Sequence, residues 1–180
     1  YGTFAGFGLY AWNGSAWTRI NPNPAARMVV SGSVLYVDFG AGIGLYKYEA
    51  ATGWTQINPN PTARMAVSGS VLYVDFGAGI GLYKYDTATG FTHINPNVTS
   101  RMAVAGSDLY VDFGAGIGLY KYAAATGWTH INPNVTSGMV ASGSILYANF
   151  GAGIGLWKYD AATGWTNLTA TDPTLMVAGL

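Results

Sequence analysis

Every 37 residues this chain returns to the same motif, and that period constrains its fold more than any other feature. Leu35-Tyr36-Val37-Asp38-Phe39 recurs at Leu72, at Leu109 and, as Leu146-Tyr147-Ala148-Asn149-Phe150, at Leu146. Met28, Met65, Met102, Met139 and Met176 keep the same step, as do Trp17, Trp54, Phe91, Trp128 and Trp165. A fixed period of this size marks a series of like supersecondary units, none of which can bury its apolar surface alone.

Within one copy the segments RMAVSG (64–69), VLYVDFG (71–77) and GLYKYD (81–86), preceded by GWTQI (53–57), are short, β-branched or aromatic, and bounded by Gly, Ser, Asn or Pro. They read as four strands, A to D, separated by SGS, GAGI, TATG and NPNPTA. No window shows a 3.6-residue apolar period. Four-stranded units repeated in series predict an all-β, five-bladed β-propeller occupying residues 1–180 as a single domain.

The termini predict how such a ring closes. The chain begins with YGTFAGFGLYAW, which supplies B, C and D strands but no A strand, and ends with LMVAGL at 175–180, which reads as an A strand alone. The C-terminal strand is therefore expected to complete the blade begun at residues 1–20, tying down both ends. Half of the residues are hydrophobic and 9% are charged, with eight Lys+Arg against eight Asp+Glu, so no basic field exists to attract nucleic acid. There is no cysteine, and no apolar run reaches the roughly 18 residues of a membrane helix. The expected molecule is a monomer without cofactor, metal or membrane span. Four N-x-[ST] sequons (Asn13, Asn97, Asn134, Asn167) are compatible with an extracellular or cell-surface setting.

FGAGIG at 39–44, 76–81, 113–118 and 150–155 invites a phosphate-loop reading, but its glycines lead into a strand instead of a helix N-terminus. It reads as a B-to-C hairpin turn, with an anion-holding backbone nest as the alternative. The recurrent D-strand aromatic reads as a plug between blades, or else as a platform for a sugar ring; the methionines read as packing. Asp38, Asp75 and Asp112 recur with Lys47, Lys84 and Lys121, and the first copy replaces both kinds together, by Thr3 and Ala11. That joint loss predicts an Asp–Lys pair across strands B and C. His93 and His130 share a register with Arg19, Gln56 and Asn167, as on a solvated strand face.

The candidate ligand contacts lie on the D-to-A loops, which a propeller places at the same end of each blade as the GAGIG turns. They are Asn21, Asn23 and Arg27 in the first loop; Asn58, Asn60 and Arg64 in the second; Asn95, Asn97 and Arg101 in the third; and Asn132 and Asn134 in the fourth. Asp75 and Asp112 join them as acceptors from strand B. Amides, guanidinium groups and exposed backbone on rigid loops are what a polyol site needs, although Asn and Pro are also ordinary turn formers. No Ser/His/Asp set or distinctive carboxylate pair suggests catalysis, and the large departures from the repeat, at Thr3, Ala11, Gly138 and Leu175, are losses.

GLYKYEAATGWTQI (44–57) and GLYKYAAATGWTHI (118–131), the former following SGSVLYVDFG (31–40), resemble the tectonin repeat in layout. The tectonin and tachylectin families are β-propeller lectins with a glycan site per blade or blade junction. That resemblance implies non-enzymatic carbohydrate binding at up to five equivalent, weak sites. The alternatives are a protein-interaction module excised from a longer repeat protein, presenting a tyrosine-rich face, and an idealised propeller scaffold without a ligand.

Overall fold

The computed structural model describes residues 1–177, and among them every regular element is a β-strand. No helix is long and apolar enough to cross a membrane. The strands form five antiparallel sheets, the blades of a five-bladed β-propeller. The first sheet holds three strands, β1 (Gly2–Phe4), β2 (Gly8–Trp12) and β3 (Trp17–Asn21). The second joins β4 (Arg27–Ser31), β5 (Val34–Asp38), β6 (Leu45–Glu49) and β7 (Gly53–Asn58). The third joins β8 (Arg64–Ser68), β9 (Val71–Asp75), β10 (Leu82–Asp86) and β11 (Gly90–Asn95). β12 (Arg101–Ala105), β13 (Asp108–Asp112), β14 (Leu119–Ala123) and β15 (Gly127–Asn132) make the fourth. β16 (Gly138–Ser142), β17 (Ile145–Asn149), β18 (Leu156–Asp160) and β19 (Gly164–Thr169) make the fifth. The four-strand reading of the repeat and the B, C, D reading of the first copy are both met.

The chain gathers into two compact units, Tyr1–Met65 and the part from Ala66 onward. In the first unit, Leu9, Leu35, Val37 and Phe39 form a buried cluster with Ile20, Met28 and Trp54 against it. In the second, Leu109, Val111 and Phe113 gather with Tyr73 and Tyr122, while Leu119 and Tyr110 meet Leu146, Ala148 and Phe150. All three clusters join neighbouring sheets, because a pleated strand sends alternate side chains to opposite faces and a blade has a sheet on more than one side. Met28, Met102 and Met139 pack at the edges of these clusters, the packing role expected of them. Tyr110 is wholly buried and sits edge-on to Tyr159 at 5.9 Å. Burial first, then the charges of Asp108, Tyr159 and Asp160, push its phenol up to about 12.

One irregularity recurs and has a use. Leu9 pairs with Asn21 but Tyr10 with Arg19, so Ile20 is an extra residue on β3; the same bulge skips Ile94 on β11 and Ile131 on β15. A bulged residue leaves the ladder, and here its carbonyl takes a donor from the next sheet. Trp54 Nε1 donates to Ile20 O at 3.0 Å, Trp128 Nε1 to Ile94 O at 2.9 Å and Trp165 Nε1 to Ile131 O at 2.9 Å. The indoles of Trp54, Trp128 and Trp165 are thus inter-blade plugs. An indole N–H turned away from water needs an acceptor, and the bulge supplies one for these half-buried rings.

The closing strand expected at 175–180 falls partly outside the described residues, which end at 177. Residues 175–177 carry no strand, and Leu175 and Val177 are exposed.

Candidate binding site

Each FGAGIG segment is a closed hairpin turn. In the first, Phe39 N–H donates to Gly44 O, and Ile43 and Gly44 N–H both donate to Gly40 O. Gly40 N–H reaches back to Asp38 Oδ1 at 2.7 Å. These donors serve the turn itself, which answers the phosphate question in favour of structure. Gly44 has φ of 92°, and a Cβ there would strike the Asn58 carbonyl and Pro59. Only glycine allows that approach. It brings the B-to-C turn against the N-P-N loop, as the sequence reading required of any shared site.

The second carboxylate oxygen of the same aspartate fixes the loop. Asp38 Oδ2 accepts from Thr62 N–H at 2.8 Å and Thr62 Oγ1 at 2.7 Å; Asp75 holds Thr99, and Asp112 holds Thr136, by the same two bonds. An arginine completes the arrangement. Arg27 Nη1 donates to Thr62 O at 2.7 Å and lies 3.6 Å from Asp38 Oδ2, and Arg101 Nη1 donates to Thr136 O. A carboxylate with no exposed surface is tolerable only when its lone pairs are taken by N–H and O–H donors. Among the described residues no buried side-chain nitrogen or oxygen lacks a partner.

Two expectations are corrected here. Asp75 and Asp112 are wholly buried and engaged with turn and loop, so they position the loop and do not line its surface. The Asp–Lys pair is not formed either: Asp38 faces Arg27, Lys47 reaches Glu49 at 3.5 Å, and Lys121 reaches Asp108 at 3.3 Å. The true partner of the aspartate is the loop threonine 24 residues on. The first copy shows it, since Thr3 stands for the aspartate and Ala25 for the threonine, leaving one bond, Ala25 N–H to Thr3 Oγ1. The joint change was legible in the sequence; it belonged to a different pair of positions.

The asparagines divide by place in the loop. Asn21, Asn58, Asn95 and Asn132 are half-buried, and each Oδ1 accepts from the backbone N–H two residues on, of Asn23, Asn60, Asn97 and Asn134. These Asx turns consume the first amide. The second asparagine keeps its own amide clear: the side chains of Asn23, Asn60, Asn97 and Asn134 make no hydrogen bond among the described residues. Asn97 and Asn134 are exposed, as is Arg64, while Arg101 is half-buried and the Arg27 side chain is 47% exposed. His93 and His130 lie on Tyr83 and Tyr120, with centroids 4.8 and 4.7 Å apart.

The first sheet differs from the rest. Phe4, Phe7, Trp12 and Trp17 are 43–67% exposed. Phe4 stands edge-on to Tyr10 at 5.3 Å and to Trp17 at 5.7 Å, and with Phe7 these rings line a shallow cavity of about 240 Å³. The sequence placed Trp17 in the same register as the plugs, with nothing to mark it as exposed.

No protein-family model matches the chain, and no curated protein sequence does. Solved structures do resemble it. The U3-55K structure aligns with a TM-score of 0.54 at 11% identity over 76% of this chain and 49% of its own. Streptogramin B lyase aligns at 0.58 and 9% identity over 84% and 57%. A structural-genomics protein of unknown function from Bacteroides thetaiotaomicron aligns at 0.50 and 15% identity over 83% and 48%. The shared feature is the propeller fold. The chain spans about half the length of these structures, and identities this low speak to fold alone.

Proposed function

We propose that this protein is a non-enzymatic, carbohydrate-binding propeller in the manner of the tectonin-like lectins, with repeated weak sites on its N-P-N loops. The observation that carries this reading is the division of labour inside the loop. In the last three of these loops the first asparagine, the aspartate and the threonine are spent holding the backbone, so the second asparagine is presented in the same frame at Asn60, Asn97 and Asn134, and the first loop keeps the same Asx turn before Asn23. A side-chain amide offers donor and acceptor together, which suits vicinal hydroxyls. Rigid copies engaging one glycan-bearing surface gain affinity by about 10²–10⁴ over a single site when their spacing matches.

The test is a glycan array and an agglutination assay on the purified chain, beside a variant carrying Asn60→Ala, Asn97→Ala and Asn134→Ala. The expected result is binding by the parent and loss of agglutination in a variant that remains folded. Silence of the parent across the array overturns the reading.

A second reading, a protein-interaction propeller, is favoured by the exposed aromatic face of the first sheet, since clustered Trp and Phe are common anchors at protein interfaces. It predicts a silent array, and a blue shift of indole emission on docking that Trp17→Phe diminishes.

A further inference from the structure

We propose that the fifth sheet carries a binding site for a guanidinium cation, in the place that an arginine side chain of the protein itself fills in the second and fourth sheets. There, Arg27 and Arg101 send Nη1 to the carbonyl oxygens of Thr62 and Thr136. One period on from Arg101 stands Gly138, from Asp112 stands Asn149, and from Thr136 stands Pro173. The arginine is lost, but its surroundings persist. Asn149 Oδ1 still accepts from the turn, from Gly151 N–H at 2.9 Å, and the anion has moved from strand to loop as Asp172.

Asn149 Nδ2 donates to Asp172 Oδ1 at 2.5 Å and to Pro173 O at 3.1 Å, which fixes carboxylate and carbonyl side by side. Beside them is a cavity of about 410 Å³ lined by Ser137, Gly138, Asn149, Asp172, Pro173 and Met176. That size falls in the range of small-ligand pockets. Where Asp38 has Arg27, Asp172 makes no ion pair among the described residues. The Arg/Asp/Thr set has become Gly/Asn with a loop aspartate, so the site carries one negative charge in place of a balanced pair. A guanidinium fits better than an ammonium, because its flat fork can satisfy a carboxylate and an adjacent carbonyl with parallel N–H groups, and Arg27 already places its Nη1 on such a carbonyl, Thr62 O, with the Asp38 carboxylate 3.6 Å away. Gly138 has no positive φ, so its backbone accepts a side chain, and the one close neighbour of a Cβ there is the mobile end of Met176, Cε at 2.9 Å. This site stands apart from the glycan reading, which uses neither Gly138 nor Asp172.

The experiment is a titration of the ¹⁵N-labelled chain with methylguanidinium, N-acetyl-L-arginine amide and methylammonium at constant ionic strength, followed by amide shifts at Gly138, Gly151 and Thr174. Saturable shifts are expected with half-saturation on the order of 1–10 mM, as for one charge-assisted contact set, and about fivefold weaker for methylammonium. Gly138→Arg, which refills the cavity from within, should abolish them, and Asp172→Asn should weaken them about tenfold. Tighter binding of the arginine amide assigns the ligand as a peptide arginine, whereas equal binding assigns a free guanidinium compound. Absence of saturation in the parent, or identical titrations in both folded variants, overturns the proposal.

Discussion

Trp17 and Trp128 hold one register of the repeat, yet their environments are opposite. Trp128 lies against Phe113, Tyr120 and Tyr122, with centroids 4.9–6.4 Å away, and donates to the bulged Ile94 carbonyl of the preceding sheet. Trp17 is 47% exposed, and its ring contacts among the described residues are with Phe4 and Trp12 of its own sheet. The residue type is the same, and so is the strand. What separates them is the partner of each indole: the Ile94 carbonyl for Trp128, rings of its own sheet for Trp17. In a repeat protein, the energy of a position resides in the interface between copies as much as in the copy.

That contrast can be broken by mutation, and the largest effect should come first. Trp128→Ala removes a packed indole and strands the Ile94 carbonyl, and is expected to cost about 3–5 kcal/mol in chemical denaturation, while Trp17→Ala costs less than about 1 kcal/mol. Equal losses would mean that the face of the first sheet is covered in solution. Next comes the clamp: Asp112→Ala leaves the buried Thr136 N–H and hydroxyl without their acceptor, an expected loss of about 2–3 kcal/mol. The counterpart in the first sheet, Thr3→Ala, removes one exposed bond and should cost about 1 kcal/mol or less.

Glycine positions sharpen the comparison inside one turn. Gly44→Ala forces a Cβ into the Asn58 carbonyl, whereas Gly42→Ala meets nothing within 4 Å and carries only the penalty of its φ of 83°. The first should therefore lower the melting temperature more than the second, whose cost is about 1 kcal/mol. The smallest effect is on pH dependence. The Tyr110 phenol is raised from 10.0 to about 12 in the folded chain. The protonated form is thus favoured by folding, so this stabilisation is whole below pH 10 and is lost as pH rises towards 12. Melting temperatures recorded from pH 9 to 12 should fall less steeply in Tyr110→Phe than in the parent.

Much of the architecture was legible because repetition converts weak local signals into strong ones. A single GWTQI could be many things, but the same segment at one spacing between the same turns identifies strand D, and the observed β7 at Gly53–Asn58 extends that segment by one residue. The clamp was half legible. Asp38, Asp75 and Asp112 were evident as a series, and the threonines of PTAR (61–64) and VTSR (98–101) were there to be seen. Their pairing was missed because sequence proximity and opposite charge favoured lysine, whereas the actual partner lies 24 residues away, beyond the two strands β6 and β7. The pocket beside Gly138 shows the same limit. The lost arginine is visible as a letter, but the cavity it leaves is visible only where Asp172 and Met176 arrive beside it.

By itself the sequence determined the period, the strand order within each copy and the turn chemistry, since these follow from backbone preferences that act over a few residues. The tertiary structure alone decided which polar groups are consumed and which are displayed. Asn95 is spent and Asn97 offered, Asp75 is buried and Arg64 exposed, Trp128 is a plug and Trp17 a surface. The physical reason is desolvation. Whether a polar or aromatic group must find a partner depends on the surface that packs over it, and that surface comes from another part of the chain.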